Sequence, residues 1–132
     1  MTQDQIERCN ALWRELADTA RVPWMPGMLA RNTADPDHPL KRILRRFGAA
    51  DTRVWSPVWT DPATIGCLVA MAREAVGHSA IACWRSSMTG EWGVHNTDRP
   101  FFRETEPEAL LLAIQAATAS QTPRPACNSF AR

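Results

Sequence analysis

Four cysteines, three histidines and a scatter of acids are the residues from which a catalytic or metal-binding reading would have to be built. Cys67, His78, Cys83 and His95 can be written as a ligand set. Their spacings match no zinc module, however, and Cys67 falls on the apolar stripe of a predicted helix. Asp35, Asp37 and His38 form a second polar cluster, in which Asp37 is accounted for as a helix cap. Cys83 with His78 or His95 has the residue types of a nucleophile and its base. Cys83 lies in an apolar predicted strand, where a buried thiol is inert. Glu106 and Glu108 sit in the first turn of a predicted helix, where acids complement its dipole. No glycine-rich phosphate loop, G-x-S-x-G elbow or paired-carboxylate motif is present. The expectation is a protein without catalytic residues, cofactor or metal.

A second group of residues has the chemistry of recognition. Lys41, Arg42, Arg45 and Arg46 occupy one face of a short predicted helix, 40–47. Charges of one sign on one helix face suit a phosphate backbone or an acidic protein surface. The same residues also read as a solvated face whose last-turn arginines complement the dipole. No nucleic-acid-binding motif accompanies them. Nearby, Trp24, Met25 and Met28 surround a Pro26-Gly27 turn whose flanks are apolar, so the turn either folds onto the core or presents a Trp/Met surface. Tryptophan, methionine and arginine are the types enriched at interface hot spots. The candidate partner-binding set is therefore Trp24, Met25, Met28, Lys41, Arg42, Arg45 and Arg46. Trp13, Trp84 and Trp92 lie on predicted core faces, whereas Trp24, Trp55 and Trp59 fall in less regular segments.

The elements that must position these residues follow from capping and periodicity. Thr2 and Gln5 form a capping box that opens a helix to about Ala20, with Ile6, Cys9, Trp13, Leu16 and Ala17 on one stripe. Asp37 caps the helix 40–47, in which Leu40, Ile43, Leu44 and Phe47 form the buried stripe and Gly48 the stop. Arg31 to Pro39 reads as a polar connection and Arg53 to Ser56 as a strand. Asp61-Pro62 starts a helix ended by Gly77, with Gly66 read as a point of close backbone approach. Ser79–Arg85 and Glu91–His95 read as two strands joined across Ser86–Gly90, with Trp84, Trp92 and Val94 inward and Gly93 outward. Phe101–Arg103 is a third strand. Thr105 and Glu108 form a second capping box for a final helix to about Ala119, with Leu110, Ala113, Ile114 and Ala117 inward. Residues 120–132 are a tail that Cys127 and Phe130 can anchor. This order predicts one α+β domain over 1–119, a two- or three-layer sandwich of helices on a three- or four-stranded antiparallel sheet.

Composition sets the outer bounds. At 132 residues and net charge +1 the chain suits a single folded domain rather than a nucleic-acid coat, a polybasic membrane binder or an acidic tail. Leu, Ile, Val and Phe supply only 24 residues, and six tryptophans, with no tyrosine, provide the bulk that is missing. Arginine outnumbers lysine 14 to 1, a bias that a GC-rich genome produces by itself. No apolar stretch is long enough to span a membrane, and no signal peptide pattern opens the chain, so reduced thiols and a cytoplasmic setting are expected.

The turn 25–28, the segment Asp61-Pro62-Ala63-Thr64-Ile65-Gly66-Cys67-Leu68 running on to Arg73-Glu74-Ala75, the strand Glu91-Trp92-Gly93-Val94 and the stretch Thr105-Glu106-Pro107-Glu108-Ala109-Leu110 occur in that order. Together they resemble small phage and prophage proteins similar to those grouped as the phage ABA-sandwich domain, with 31–53 as an insertion. The resemblance implies an α/β sandwich of phage origin and brings no catalytic residue with it. The expected function is a phage-encoded, non-enzymatic accessory protein that binds a host or phage protein, one version being inhibition of a bacterial defence complex as anti-CRISPR proteins do. The alternative is a small nucleic-acid-binding module using the basic helix 40–47, and a third reading is self-association as a homodimer.

Overall fold

The computed structural model describes residues 1–20, 24–44, 54–77, 83–94 and 102–121. Helix α1 (Gln3–Ala20) starts at the expected capping box: Gln5 N–H donates to Thr2 Oγ1 at 3.2 Å, and Thr2 N–H donates to Gln5 Oε1 at 2.9 Å. Its inward stripe buries Cys9, Trp13, Leu16 and Ala17. Arg8 reaches Glu104 at 2.7 Å and Glu108 at 3.3 Å, tying α1 to the start of the last helix.

After α1 the Pro26-Gly27 turn closes with Met28 N–H donating to Met25 O at 3.2 Å. Gly27 has φ +103°, the left-handed value that the second central position of a type II turn needs. The turn feeds β1 (Leu29–Asn32), the central strand of an antiparallel sheet ordered β2-β1-β3, with β2 spanning Lys41–Arg42 and β3 Trp55–Pro57. Leu29 lies opposite Arg42, Ala30 opposite Lys41, and Arg31 opposite Ser56.

The basic helix expected at 40–47 is therefore corrected. Lys41–Arg42 is extended, and the pairing continues through Ile43, whose N–H donates to Met28 O at 2.8 Å while its carbonyl accepts from Gly27 N–H at 2.8 Å. Of the proposed apolar stripe only Ile43 is buried; Leu40 and Leu44 are 45% and 84% exposed, and Phe47 lies outside the described residues. A helix of eight residues is weak alone, and here the backbone of the Pro-Gly turn supplies a ladder instead.

Helix α2 (Pro62–Val76) begins as expected, with Asp61 at the N-cap accepting from Thr64 N–H at 3.0 Å, Pro62 in the first turn and Gly77 at the C-cap. Gly66 faces open space, so the close approach read there is not found. Strands β4 (Cys83–Arg85), β5 (Trp92–Val94) and β6 (Phe102–Arg103) form a second antiparallel sheet in that order. The α+β class is as expected, with the strands divided between two sheets of three among the described residues.

Register corrects one face of the second sheet. Trp84, Gly93 and Phe102 are direct cross-strand partners and share a face, while Trp92 and Val94 occupy the other. Trp84 is thus opposite in sense to the core-facing Val94, and its ring meets Phe102 edge-on at 5.7 Å over Gly93. A Cβ at Gly93 would sit 2.9 Å from Phe102 Cε1 and 3.3 Å from Trp84 Cε2. Gly93→Ala should therefore cost about 1 kcal/mol in chemical denaturation, limited because the half-exposed Phe102 ring can yield. No loss of stability would show that the two rings do not need the space.

Helix α3 (Glu106–Gln121) packs against α1, α2 and β5 together. Ala109, Leu110 and Leu111 are all fully buried in succession, so the expected single stripe is replaced by burial nearly all round. The second capping box is not formed. Glu108 turns to Arg8 and Arg103, and the Thr105 hydroxyl is buried beside the Cys9 thiol without a hydrogen bond among the described residues. The core closes on Trp13, which meets Trp24 edge-on at 5.3 Å and Trp59 at 6.1 Å.

Candidate interaction surface

The structure separates the candidate partner-binding residues into three groups. Trp24 and Met28 are fully buried, which removes them from any surface; the Pro-Gly turn folds onto the core, as the first of its two readings has it. Met25, half-buried, packs against that core with its N–H 3.3 Å from Met28 Sδ. Arg45 and Arg46 lie outside the described residues, as does Arg53.

Arg42 is committed internally. Its Nη1 donates to Gly27 O at 2.9 Å and to Asp61 Oδ2 at 2.8 Å. Asp61 also accepts from the Thr64 hydroxyl at 3.1 Å, and that hydroxyl accepts from Leu29 N–H at 3.0 Å. One network thus joins the turn, β1, β2 and the start of α2, with the fully buried Thr64 at its centre. The Arg42 guanidinium, against the opposing effect of desolvation and with help from Thr64, holds the Asp61 carboxyl below the usual carboxylate range. Half of the described basic pair is therefore structural.

Lys41 has a different setting. Its Nζ lies 5.5 Å from the centroid of the Trp55 ring, close enough for a cation–π contact. The His38 ring meets the same indole edge-on at 5.2 Å, and its Nδ1 is 3.1 Å from Pro39 O. Lys41 and Trp55 approach from the two outer strands, across β1, and Ala30 between those strands is fully buried. Of the three tryptophans in irregular segments, Trp24 and Trp59 are interior and Trp55 alone remains half-exposed. Leu40 and Leu44 flank β2, and Val54, 40% exposed, precedes Trp55. The exposed candidates around β2 are thus Leu40 and Leu44 at its two ends and the Lys41–Trp55 pair, in place of Trp24 and Met28. Spacing does not reveal them because helical periodicity puts the leucines on a buried stripe, and a Lys shortly after His-Pro, with its Trp two strands away across β1, carries no local signature.

The cysteine readings are decided by burial. Desolvation first, and the Glu106 charge second, push the Cys83 thiol up to about 12, and desolvation with Glu108 does the same for Cys9. Burial also raises Cys67. Each of these shifts favours the thiol over the nucleophilic thiolate. His78, His95 and Cys127 lie outside the described residues, and among the described residues no three His, Cys, Asp or Glu side chains are grouped to hold a metal. No helix among them is long and apolar enough to cross a membrane. No family model, curated protein or solved structure matches this chain.

Proposed function

We propose that this chain is a non-enzymatic protein that acts by binding a protein partner through the surface around β2. The observation that carries the reading is the exposure of Leu44, at 84%, and Leu40, at 45%, on either side of the outer strand β2. Two exposed leucines flanking the outer strand, and on that strand a lysine over a half-exposed tryptophan ring, supply apolar and cationic groups of the types found at binding hot spots. The partner that fits is a protein presenting an apolar segment with an acidic neighbour. The more specific form, a phage accessory protein that blocks a bacterial defence complex, draws its support from the resemblance of the turn, helix-start and strand segments.

The nucleic-acid alternative loses its support where it was strongest, because the helical basic face is absent at Lys41–Arg42 and Arg42 is spent on Asp61. The test is affinity capture from nuclease-treated host lysate with the wild-type chain and with Leu44→Asp and Trp55→Ala. A protein retained by the wild type and weakened at least about tenfold by Leu44→Asp is expected. Capture that Leu44→Asp and Trp55→Ala both leave unchanged would remove this surface. Retention that disappears with nuclease would return the reading to nucleic acid.

A further inference from the structure

On the opposite face of the first sheet from Trp55 and Lys41, between β1, β3 and the N-terminal half of α1, lies a cleft of about 90 Å³. On that measure a single water needs about 10–15 Å³, so the cleft has room for a carboxylate on a short aliphatic stem. Arg31 and Ser56 are direct cross-strand partners and both line it. Asn10 enters from α1, and Ile6 and Trp59 form apolar walls.

The polar groups of this cleft are unbalanced towards donors. Arg31, with five N–H groups and no acceptor, makes no ion pair or hydrogen bond among the described residues. Asn10 Oδ1 is taken by the Trp59 indole N–H at 2.8 Å, which turns the donating NH₂ end of the amide to other partners. Ser56 is only 3% exposed, yet its hydroxyl has no hydrogen bond among the described residues. No acidic side chain lines the cleft. The exposed Arg31 guanidinium at the rim and the Ser56 hydroxyl on the wall, with no acceptor for either among the described residues, present an anion entering the cleft with donors and no opposing acid. The neighbouring positions explain how the site is held: Trp59 is fixed by Asn10 and by Trp13, and Thr33 donates to Val54 O at 3.2 Å, locking the end of β1 to the start of β3.

We infer that this cleft binds a carboxylate with a short aliphatic stem, the oxygens received by Arg31, Ser56 and Asn10 and the stem lying against Ile6 and Trp59. The site is independent of the β2 surface. The guanidinium fork matches a planar carboxylate in two parallel hydrogen bonds, whereas the apolar walls disfavour a fully hydrated inorganic anion.

The experiment is a titration of propionate into the isotopically labelled protein, followed at the Trp59 indole N–H resonance, which Trp59→Phe assigns. Propionate should shift that resonance saturably, with a dissociation constant on the order of millimolar, as expected for so small a ligand. Propionamide, of the same shape without the charge, should not. Arg31→Gln is at an exposed position that leaves the core intact, and it should weaken propionate about tenfold; Ser56→Ala should weaken it less. A glutamate blocked at both ends tests the source: tighter binding than propionate assigns the site to an acidic side chain of another protein, weaker binding to a free acid. Equal shifts from propionate and propionamide, no saturation, or an unchanged curve in folded Arg31→Gln would each overturn the inference.

Discussion

Replacing Trp13 with alanine is expected to lower the free energy of unfolding by about 3–5 kcal/mol in urea denaturation. Trp13 is fully buried and meets both Trp24 and Trp59 edge-on, so alanine empties the point at which α1, the Pro-Gly turn and the end of β3 converge. Trp13→Phe should cost only about 1–2 kcal/mol, because the indole N–H it deletes has no hydrogen bond among the described residues. Trp59→Phe, by contrast, also strands Asn10 Oδ1. If Trp13→Ala and Trp13→Phe lost the same amount, ring packing would not be the source of the stability.

The helices were legible because their ends are written locally. Thr2 with Gln5, and Asp61-Pro62 with Gly77, act over three or four residues and need nothing from the rest of the chain. The Pro26-Gly27 turn and the second sheet were legible for the same reason. Of the first sheet only β3 was, through the strand read at Arg53–Ser56. Leu-Ala-Arg-Asn in β1 has little intrinsic preference for a strand, and it is extended because β2 and β3 pair on both sides of it. The helical spacing of Leu40, Ile43 and Leu44 was coincidental, and only the distant backbone of Gly27 and Met28 decides against it.

The same division holds for the candidate surface. Composition at 41–42 shows two cations, but their separate fates depend on partners far away in sequence: Asp61 for Arg42 and Trp55 for Lys41. Gly93 did carry a usable signal, since a glycine inside a strand pattern often marks the close approach of other groups. Reading it that way would have placed Trp84 over it rather than in the core. Ser56, enclosed between Trp55 and Pro57, is the comparable signal for the cleft: a buried polar residue in a three-residue strand.

Asp61→Ala should lose about 2 kcal/mol of stability, of which about 1 kcal/mol is the helix cap and the rest the ion pair and the hydrogen bond from Thr64. Asp61→Asn separates these, because asparagine caps nearly as well as aspartate but cannot carry the charge that Arg42 faces. Arg42 is half-exposed, so solvent screening keeps the pair to about 1 kcal/mol. The sign of the pH dependence follows from the carboxyl being held below its ordinary range. Its contribution is full above the carboxylate range of the unfolded chain, about pH 4–5, and is lost as pH falls through the lower, folded value. The advantage of the wild type over Asp61→Asn in denaturant midpoints should therefore be largest near neutrality and shrink on acidification. An advantage that stayed constant from neutral pH into strong acid would mean that geometry at the cap, and not the charge opposite Arg42, joins the Pro-Gly turn and β2 to α2. Lys41 stands outside this network, its ammonium over the Trp55 ring on the other face of the sheet.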